Sequence, residues 1–380
     1  MAYHLAIYLS AHGFGHIGQT APVIDSLARS LPDVRLTILT AAPAFKIAER
    51  FGQSHTLIHN ENDVGMQQSN ALEVDVPGSW IAYQAFHEAW TEKVRAEARR
   101  LEQLRPDLVL VNVPYLPLAA ARLAEIPAVA ICSLDWAGIF AHYFASHGEP
   151  AGRILAEMQA AYESALCFLQ PEPSMAMPHL GNTKAIGPIA QVGRNCRSVV
   201  EKQIGLASGE RLVMVSLGGM EFRPPIEDWP ALVGLRLIVP ASWKSRHPQT
   251  VAFEDLGIPF IDALASSDLL IAKPGYGSFV EAVCHGIPVL YIERANWPEA
   301  DAMIGWLLRY GVCARLSPTD LKQGTLVDAV TALLVKPQAS PRAPTGAAEA
   351  AEEIIAILAQ RSPSSHRSGR IDIPQTESSR

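Results

Sequence analysis

The stretch HLAIYLSAHGFGHIGQT, residues 4–20, decides how the rest of the sequence is interpreted. An apolar run leads into a turn with the glycines Gly13, Gly15 and Gly18, and a helical pattern follows. Glycines let another molecule approach the backbone, and the first turn of a helix exposes unpaired N–H groups. This order of strand, glycine-rich turn and helix predicts a parallel α/β unit whose turn faces a ligand.

Units of the same kind recur along the chain. In the first half, the apolar runs VRLTILTA, DLVLVNV and PAVAICSL each lead into a helical pattern. In the second half, the pattern restarts in RLVMVSLGG, LRLIVPAS, IPFIDAL, DLLIAKPGYG and IPVLYIER. Short apolar runs that alternate with amphipathic stretches indicate parallel sheets covered by helices on both faces. The sequence therefore predicts an α/β protein with two doubly wound parallel-sheet domains in series.

The predicted domain limits follow from changes in composition. We assign residues 1–190 to the first domain and 191–345 to the second, with the boundary near Gly187 to Arg194. The segment SMAMPHLGNTKAIGPIAQVGRN is rich in Pro, Gly and Asn, lacks a clear period and is interpreted as the linker. A further helix is expected over 346–361, and the polar residues 362–380 are expected to be disordered.

Composition and charge exclude several classes of function. The net charge of −7 argues against nucleic-acid binding, which depends on Lys and Arg that neutralise phosphates. The 5 cysteines form no CxxC pair, so neither a zinc site nor a disulfide framework is indicated, and a reducing cytoplasm is expected. The start MAYHLAIYLSAHG lacks the features of a signal peptide, and we expect no transmembrane segment. The oligomeric state is left open.

The opening loop allows two interpretations. Its glycines satisfy GxGxxG, but the second predicted strand ends in Thr40, Ala41 and Ala42, where a dinucleotide fold needs an acidic residue for the ribose. This disfavours NAD. His16, in the first helical turn, is a candidate general base, because imidazole titrates near neutrality. It could equally cap or pack the helix, and His12 is expected to be structural or to line an acceptor site.

A second glycine-rich turn lies in LLIAKPGYGSFVEAV. Gly275 and Gly277 allow a close turn that could cradle a diphosphate, and Ser278 is the expected N-cap of the following helix. Glu281, about one turn inside that helix, could accept both hydroxyls of a ribose or be a solvated carboxylate.

Two further segments belong to the same predicted crevice. The sequence SLGGM ends another strand and brings a pair of glycines to the same edge of the sheet. The loop IERANWPEADAM is dense in polar groups suited to reading sugar hydroxyls, although a solvated loop would look the same. The candidate donor-binding residues of these segments are Gly218, Gly219, Glu293, Arg294, Asn296 and Glu299, with Asp301 beside them.

Together these residues resemble the GT-B glycosyltransferase superfamily, in which two Rossmann-like domains face a cleft. The likeness extends over residues 3–335. The motifs HGFGH, DVGMQQSNALEVD, CSLDWAGIFAHYF and KPGYGSFVEA are similar to the glycosyltransferase-like N-terminal region of plant L-arabinokinases and its stand-alone bacterial relatives. The second domain also resembles that of the lipid II-forming N-acetylglucosaminyltransferase, and His16 aligns with a loop histidine of the nucleotide-sugar hydrolase of pseudaminic acid synthesis.

The resemblance implies roles for particular residues. On the donor side, Phe260 and Ile261 would flank the base, the turn from Gly275 through Tyr276 to Ser278 would approach the diphosphate, and Glu281 would hold the ribose. Residues expected on the acceptor side are His12, Gly13, Gly15, Asp63, Gln68, Asp75 and Trp136, the last able to stack on a sugar. His16, or alternatively Asp135, would deprotonate the acceptor.

The expected function is metal-independent transfer of a sugar from a nucleoside diphosphate donor, such as a UDP-sugar, to an unidentified sugar, small-molecule or lipid-linked acceptor. No cofactor is expected. No kinase half is expected, and no paired glutamines follow YIERANW, so the resemblance implies neither sugar kinase activity nor UDP-N-acetylglucosamine as the donor. A nucleotide-sugar hydrolase and a non-catalytic sensor remain alternatives. The polar stretch from Asn60 to Ile81 favours a larger acceptor than water. Domain closure around the donor is also expected.

Overall fold

The computed structural model describes residues 2–69, 73–218, 223–292, 294 and 296–360. The predicted tail 362–380 lies outside the described residues. The strands form two parallel sheets. The strands of the first sheet are β1 (His4–Leu9), β2 (Arg35–Thr40), β3 (Thr56–His59), β4 (Leu108–Asn112), β5 (Ala128–Ile131), β6 (Cys167–Pro171) and β7 (Thr183–Ile186). Their spatial order is β3-β2-β1-β4-β5-β6-β7.

The second sheet has the same design with fewer strands. Its members are β8 (Arg211–Ser216), β9 (Leu235–Val239), β10 (Thr250–Ala252), β11 (Leu269–Ala272), β12 (Val289–Tyr291) and β13 (Cys313–Arg315). They lie in the order β10-β9-β8-β11-β12-β13. In both sheets the strand order reverses beside the first strand, which creates a crevice at the carboxyl ends of the strands.

Helices cover both sheets. In the first domain they are α1 (Gly15–Ser30), α2 (Ala44–Arg50), α3 (Val76–Glu88), α4 (Trp90–Leu104), α5 (Leu116–Leu123), α6 (Trp136–Phe144) and α7 (Gly148–Glu163). They continue as α8 (Arg197–Ile204), α9 (Phe260–Ala265), α10 (Tyr276–His285), α11 (Ala300–Tyr310), α12 (Pro318–Gln323), α13 (Val327–Leu334) and α14 (Gly346–Gln360). Short 3-10 helices span Ile226–Asp228, Ala241–Trp243 and Phe253–Leu256.

The hydrophobic core explains how the two domains are joined. One apolar cluster contains Ile17 and Ile24 of α1 together with Phe279 of α10, so it continues from the first domain into the second. Helix α14 returns to the first domain and packs on α1, with Ile354 and Leu358 buried. Its first N–H, that of Gly346, donates to the carbonyl of Pro188 over 3.0 Å.

Two predictions about local structure are wrong. The run IPFIDAL, expected to be a strand, forms α9, because Pro259 precedes the helix and Asp262 lies in its first turn. The segment interpreted as an irregular linker contains β7 at Thr183–Ile186. This strand lies at a sheet edge and is partly exposed, so it lacks the continuous apolar run that marks the central strands.

Candidate functional site

The candidate site lies where the carboxyl ends of the two sheets meet. In open parallel sheets, ligands bind beyond these ends. From the first sheet, the turn after β1 carries His16, and β4 ends with Asn112. From the second sheet, Lys273 follows β11 and Arg294 follows β12. The two edges face each other, since the hydroxyl of Ser133 after β5 donates to Oε1 of Glu299, which lies beyond β12, over 2.7 Å.

The hydrogen bonds of His16 define its tautomer. Its Nδ1 lies 2.9 Å from Oδ1 of Asn112. The Thr20 hydroxyl donates to the His16 carbonyl over 2.9 Å, so its oxygen accepts from Nδ2 of Asn112 over 3.0 Å. The amide of Asn112 therefore presents its oxygen to the imidazole, and Nδ1 of His16 must carry the proton. In the neutral ring, Nε2 then holds the lone pair that can accept a proton.

Burial determines the charge of this imidazole. His16 is only 6% exposed. Burial lowers its pKa to about 4, against the opposing effect of the hydrogen bond to Asn112. An ionised carboxylate at the position of Asn112 would stabilise the imidazolium more strongly than a neutral amide does. His16 is therefore uncharged at neutral pH, and its Nε2 is free of a proton.

The low pKa of His16 predicts a pH-dependent loss of stability. In the unfolded chain the ordinary pKa is 6.5, so that state binds the proton more tightly than the folded state. Stability should fall as the pH decreases from 6.5 towards 4, by up to about 3 kcal/mol from this residue. Urea unfolding of the wild type and of His16→Gln across this range measures the effect.

Comparing the wild type with His16→Gln separates the effect of His16 on stability from the effects of other titrating groups. Asp63 has the opposite slope, because burial raises its pKa to about 6. Its protonation on acidification favours the folded state. Glutamine can still donate to Asn112 but does not titrate. If the two stability profiles stay parallel over this pH range, His16 is not held neutral by the fold.

Four of the predicted acceptor-side residues lie together beside His16. The His12 and Trp136 rings meet edge to face with centroids 5.0 Å apart. The Gln68 amide nitrogen lies 2.9 Å from Nε2 of His12. The Trp136 indole donates to Oδ2 of Asp63 over 2.8 Å. Trp136 is completely buried, so the stacking on a sugar that the resemblance implied is not available in this conformation.

Glycines shape the turn around this cluster. Gly13 has φ +94°, a conformation that favours glycine, and its N–H donates to the carbonyl of Ala11 over 2.8 Å. Gly15 begins α1, and a Cβ there would meet no described atom within 4 Å. Gly65 packs against His12, since a Cβ would lie 2.6 Å from Nδ1 of the imidazole. The turn therefore leaves open space in front of the first residues of α1.

Asp75 and Asp135 have structural contacts. Asp75 is the N-cap of α3 and accepts from the N–H of Gly78 over 2.9 Å. Asp135 is the N-cap of α6, accepts from the N–H of Gly138 over 2.7 Å and lies 2.9 Å from Nε2 of His179. Oδ2 of Asp135 is buried without a hydrogen-bond partner among the described residues. Its role as an alternative base stays a prediction.

The second glycine turn begins α10 one turn earlier than expected. Gly275 is the N-cap and Tyr276 the first helical residue, so the prediction that Ser278 caps the helix is wrong. Gly275 has no side chain that could cap the helix, so the first N–H groups of α10 receive no side-chain cap. A Cβ at Gly277 would meet no described atom within 4 Å.

The side chain of Tyr276 points away from this turn towards the linker. It is buried, and its hydroxyl accepts from the N–H of Ile189 over 2.8 Å and donates to the carbonyl of Glu172 over 3.2 Å. These contacts tie the start of α10 to the segment that joins the domains. The turn therefore offers its backbone, and not this side chain, to a ligand.

Glu281 faces a residue that the sequence did not point to. Nη1 of Arg50, the last residue of α2, donates to Oε1 of Glu281 over 3.0 Å, and Glu281 is 3% exposed. The Arg50 guanidinium also lies 5.6 Å from the centre of the Phe260 ring. The backbone carbonyl of Ile261 packs against Gly193, where a Cβ would lie 2.4 Å from it. Arg50 therefore occupies the space between the two side chains expected to hold base and ribose.

The remaining donor-side residues lie at the ends of neighbouring strands. Gly218 follows β8 and contacts Lys273, since a Cβ would lie 2.9 Å from Cε of the lysine. Arg294 lies over the Trp297 ring, with its guanidinium carbon 3.9 Å from the ring centre. The carbonyl of Asn296 accepts from the Tyr143 hydroxyl of the first domain. Gly219 and Glu293 lie outside the described residues.

Glu299 connects the two domains. Its Oε1 accepts from the Ser133 hydroxyl over 2.7 Å, and its Oε2 accepts from the Trp297 indole over 3.2 Å. Ser133 in turn accepts from the amide of Gln19 over 2.8 Å, and Oε1 of Gln19 accepts from Asn112 over 3.3 Å. A continuous row of hydrogen bonds therefore runs from the partner of His16 to the donor-side loop. Burial raises the pKa of Glu299.

A cavity of about 500 Å³ lies beside the acceptor-side cluster, between α3, α4 and the loop before α3. Its polar lining includes Glu61, Asp63, Gln67, Lys93 and Glu97. Glu97 accepts from the Tyr8 hydroxyl over 2.5 Å. The cavity shares Asp63 with the cluster and lies on the side where the sequence suggested space for an acceptor.

Sequence reasoning missed Asn112, Gln19, Ser133, Arg50 and Lys273. Lys273 had a usable signal, since a lysine directly after a predicted strand in AKPGYG lies at the ligand-binding edge. Asn112 also ends a predicted strand. Arg50 lay at the end of an ordinary amphipathic helix and had no such signal. Among the described residues, no group of three or more His, Cys, Asp or Glu could hold a metal ion.

This chain was compared with known proteins by sequence and by structure. No protein-family model matches the chain. It is similar to L-arabinokinase of Arabidopsis thaliana, with 24% identity over 324 residues that cover 84% of this chain and 31% of that protein. The chain thus spans about a third of the length of this curated relative. No helix in the described part is long and apolar enough to cross a membrane.

Solved structures establish the fold. The chain resembles the calicheamicin glycosyltransferase CalG4 with a TM-score of 0.60 and 16% identity, over 96% of this chain and 100% of that one. It resembles the glycosyltransferase VinC, solved in complex with dTDP, with a TM-score of 0.53 and 15% identity, over 94% and 95% of the two chains. Two parallel-sheet α/β domains in this arrangement define the GT-B fold, as the resemblance implied. The likeness to the lipid II-forming enzyme stays a prediction.

Proposed function

We propose that this chain is a glycosyltransferase that moves a sugar from a nucleoside diphosphate donor to an acceptor hydroxyl without a metal ion. The observation that carries the proposal is the hydrogen bonding of His16. Asn112 holds the proton on Nδ1, so Nε2 can take a proton at the start of α1, beside the predicted acceptor side. The GT-B fold supports this proposal. The Arabidopsis relative adds only a partial likeness, because the chain covers 31% of it.

The proposed donor site uses the second domain. The uncapped N–H groups at the start of α10 would stabilise the diphosphate as it departs, because a helix N-terminus favours anions. Glu281 would accept the ribose hydroxyls once it has separated from Arg50.

Ligand-dependent thermal unfolding tests the donor site. We expect nucleoside diphosphates with one particular base to raise the melting temperature, and those with other bases to leave it unchanged. A ligand that binds only the folded state stabilises that state. At a ligand concentration of about 100 times the dissociation constant, the free energy of unfolding rises by about 2.7 kcal/mol. The shift should disappear in Glu281→Gln and persist in Glu353→Gln, whose carboxylate pairs with Lys184 on the surface of the first domain.

The possible outcomes separate the alternatives. If no nucleotide shifts the wild type, the proposed donor site is wrong. If the donor binds and its nucleoside diphosphate is released without any acceptor, the protein is a nucleotide-sugar hydrolase. If it binds but is consumed neither with an acceptor panel nor with water, the protein is a non-catalytic sensor.

A further inference from the structure

Arg294 is a buried cation with unused hydrogen-bonding capacity. It is 7% exposed, and its Nε and Nη2 have no hydrogen-bond partner within the described ranges of the chain. The guanidinium lies on the Trp297 ring, which covers one face and leaves the N–H groups at its edge for another partner. Burial of an unpaired guanidinium is costly, and such groups are ordinarily matched by an anion.

A second cation reaches the same place from the neighbouring strand. Lys273 follows β11, which pairs with β12, the strand that precedes Arg294. A Cβ on Gly218 would lie 3.3 Å from Nζ of Lys273, so the amine is at the carboxyl end of β8 as well. Burial and the charge of Arg294 lower the pKa of Lys273 to about 8. The charge of an anion bound between the two cations would oppose both effects, because it stabilises the protonated amine.

The described acid near Arg294 does not pair with its guanidinium by direct contact. Glu299 contributes to the electrostatic surroundings of Arg294, but its oxygens accept from Ser133 and Trp297. Across the cleft the facing group is His12, whose pKa is lowered to about 3 by burial, by His16 and by the two cations. His12 is thus neutral and does not compete for an anion.

We propose that Arg294 and Lys273 form an anion site that takes a phosphate or carboxylate group of a substrate bound in the cleft. The pairing of the two cations stands on their own geometry, whereas the link to a substrate rests on the proposed function. Two sources share this chemistry. One is the donor's diphosphate, and the other is an acidic group on the transferred sugar or on the acceptor.

Inorganic pyrophosphate and malonate are suitable first probes, because neither needs a known base or sugar. We expect titration calorimetry at constant ionic strength to detect binding of at least one, and Arg294→Met and Lys273→Met each to weaken it at least about tenfold. Arg309→Met is the matched control. Arg309 also lies on an aromatic ring, that of Tyr310, but is exposed, and its loss should leave the affinity unchanged.

Apo stability adds a readout that does not depend on a ligand. If Arg294 has no partner within the protein, Arg294→Met should be at least as stable as the wild type. If Arg294 is paired, the substitution should lower the melting temperature. If Arg294→Met fails to fold, the arginine already has its partner within the protein and the inference is wrong. Lys273→Met then serves as the independent variant for the binding experiment.

The nucleotide experiment distinguishes the two sources. Weaker binding of the nucleoside diphosphate itself by Arg294→Met identifies the diphosphate as the anion. If only the preference for a uronate-bearing donor over its neutral hexose counterpart is lost, the anion is the acidic group of the sugar. If the wild type binds neither probe, or the variants bind them as tightly, the anion site is wrong even where nucleotide binding succeeds. Probe binding without nucleotide binding would reject the proposed function instead.

Discussion

Replacing His16 with glutamine should lower the rate of nucleoside diphosphate release from the donor by about 10² to 10⁴, the usual contribution of a positioned general base. Glutamine keeps a hydrogen bond to Asn112 and approximates the volume of imidazole, but its amide cannot accept a proton at neutral pH. Release is the right readout because sugar transfer and hydrolysis both produce it. Affinity for the donor should change little, because the predicted donor contacts are made by the second domain.

Three further variants make this test specific. His142→Gln changes an exposed histidine on α6 and should leave the rate unchanged. Asn112→Asp places a carboxylate beside Nδ1, which should raise the pKa of His16 and move the acidic limb of the pH–rate profile upward. Asp135→Asn addresses the alternative base. If it abolishes release while His16→Gln remains active, the assignment of His16 is wrong and Asp135 takes its place.

Replacing Arg50 with methionine should lower stability and raise nucleotide affinity at the same time. Glu281 is 3% exposed, and Arg50 is its cationic partner. Removal of one member of a buried ion pair leaves an unpaired charge, at a cost of about 3 kcal/mol. The same change removes the guanidinium from its place beside Phe260 and Glu281. A nucleoside no longer has to displace a guanidinium, so its affinity should rise about tenfold.

Chemical unfolding and nucleotide titration measure these two effects. Glu281→Gln in the Arg50→Met background should recover most of the lost stability, since it removes the orphaned charge. Lys46→Met, which breaks an exposed pair with Glu49 on the same helix, should change stability by less than about 0.5 kcal/mol. Unchanged stability together with unchanged affinity in Arg50→Met would mean that Arg50 does not cover the nucleoside site.

The contact between Arg50 and Glu281 also sharpens the expected domain movement. Arg50 belongs to the first domain and Glu281 to the second, and Ser133 and Glu299 make another direct contact between the domains. Entry of a donor at Glu281 requires the first contact to break. Small-angle scattering of Arg50→Met should therefore show a more open molecule than the wild type in the absence of ligand.

Much of the fold could be predicted from local patterns. The central strands β1, β4, β8 and β11 are buried on both faces, so they appear as continuous apolar runs. The edge strands β3, β10 and β13 are short and partly exposed, which removes that signal. The helix α9 was mistaken for a strand because its apolar run is too short to show a helical period.

Part of the candidate site could also be predicted from the sequence. Glycine turns after β1 and β11 marked the ligand-binding edge, because parallel strands bring their carboxyl ends to one side of a sheet. The positions of His16, Gly275 and Arg294 at this edge could therefore be predicted from the sequence, and their roles stay predictions. Other residues in the same motifs have structural contacts that no motif reveals. Asp75 and Asp135 cap helices, and Trp136 is buried against His12 and Asp63.

The sequence by itself determined the two parallel-sheet domains and the edges at which their loops lie, because both depend on short-range periodicity and on glycine. Only the tertiary structure decided the chemistry of those loops. Asn112 lies 96 positions from His16, Glu281 lies 231 from Arg50, and Glu299 lies 166 from Ser133. Which imidazole nitrogen carries the proton, and which cation covers a carboxylate, follow from how α1 packs on its sheet and how the domains meet. The spacing of residues along the chain predicts neither of these features.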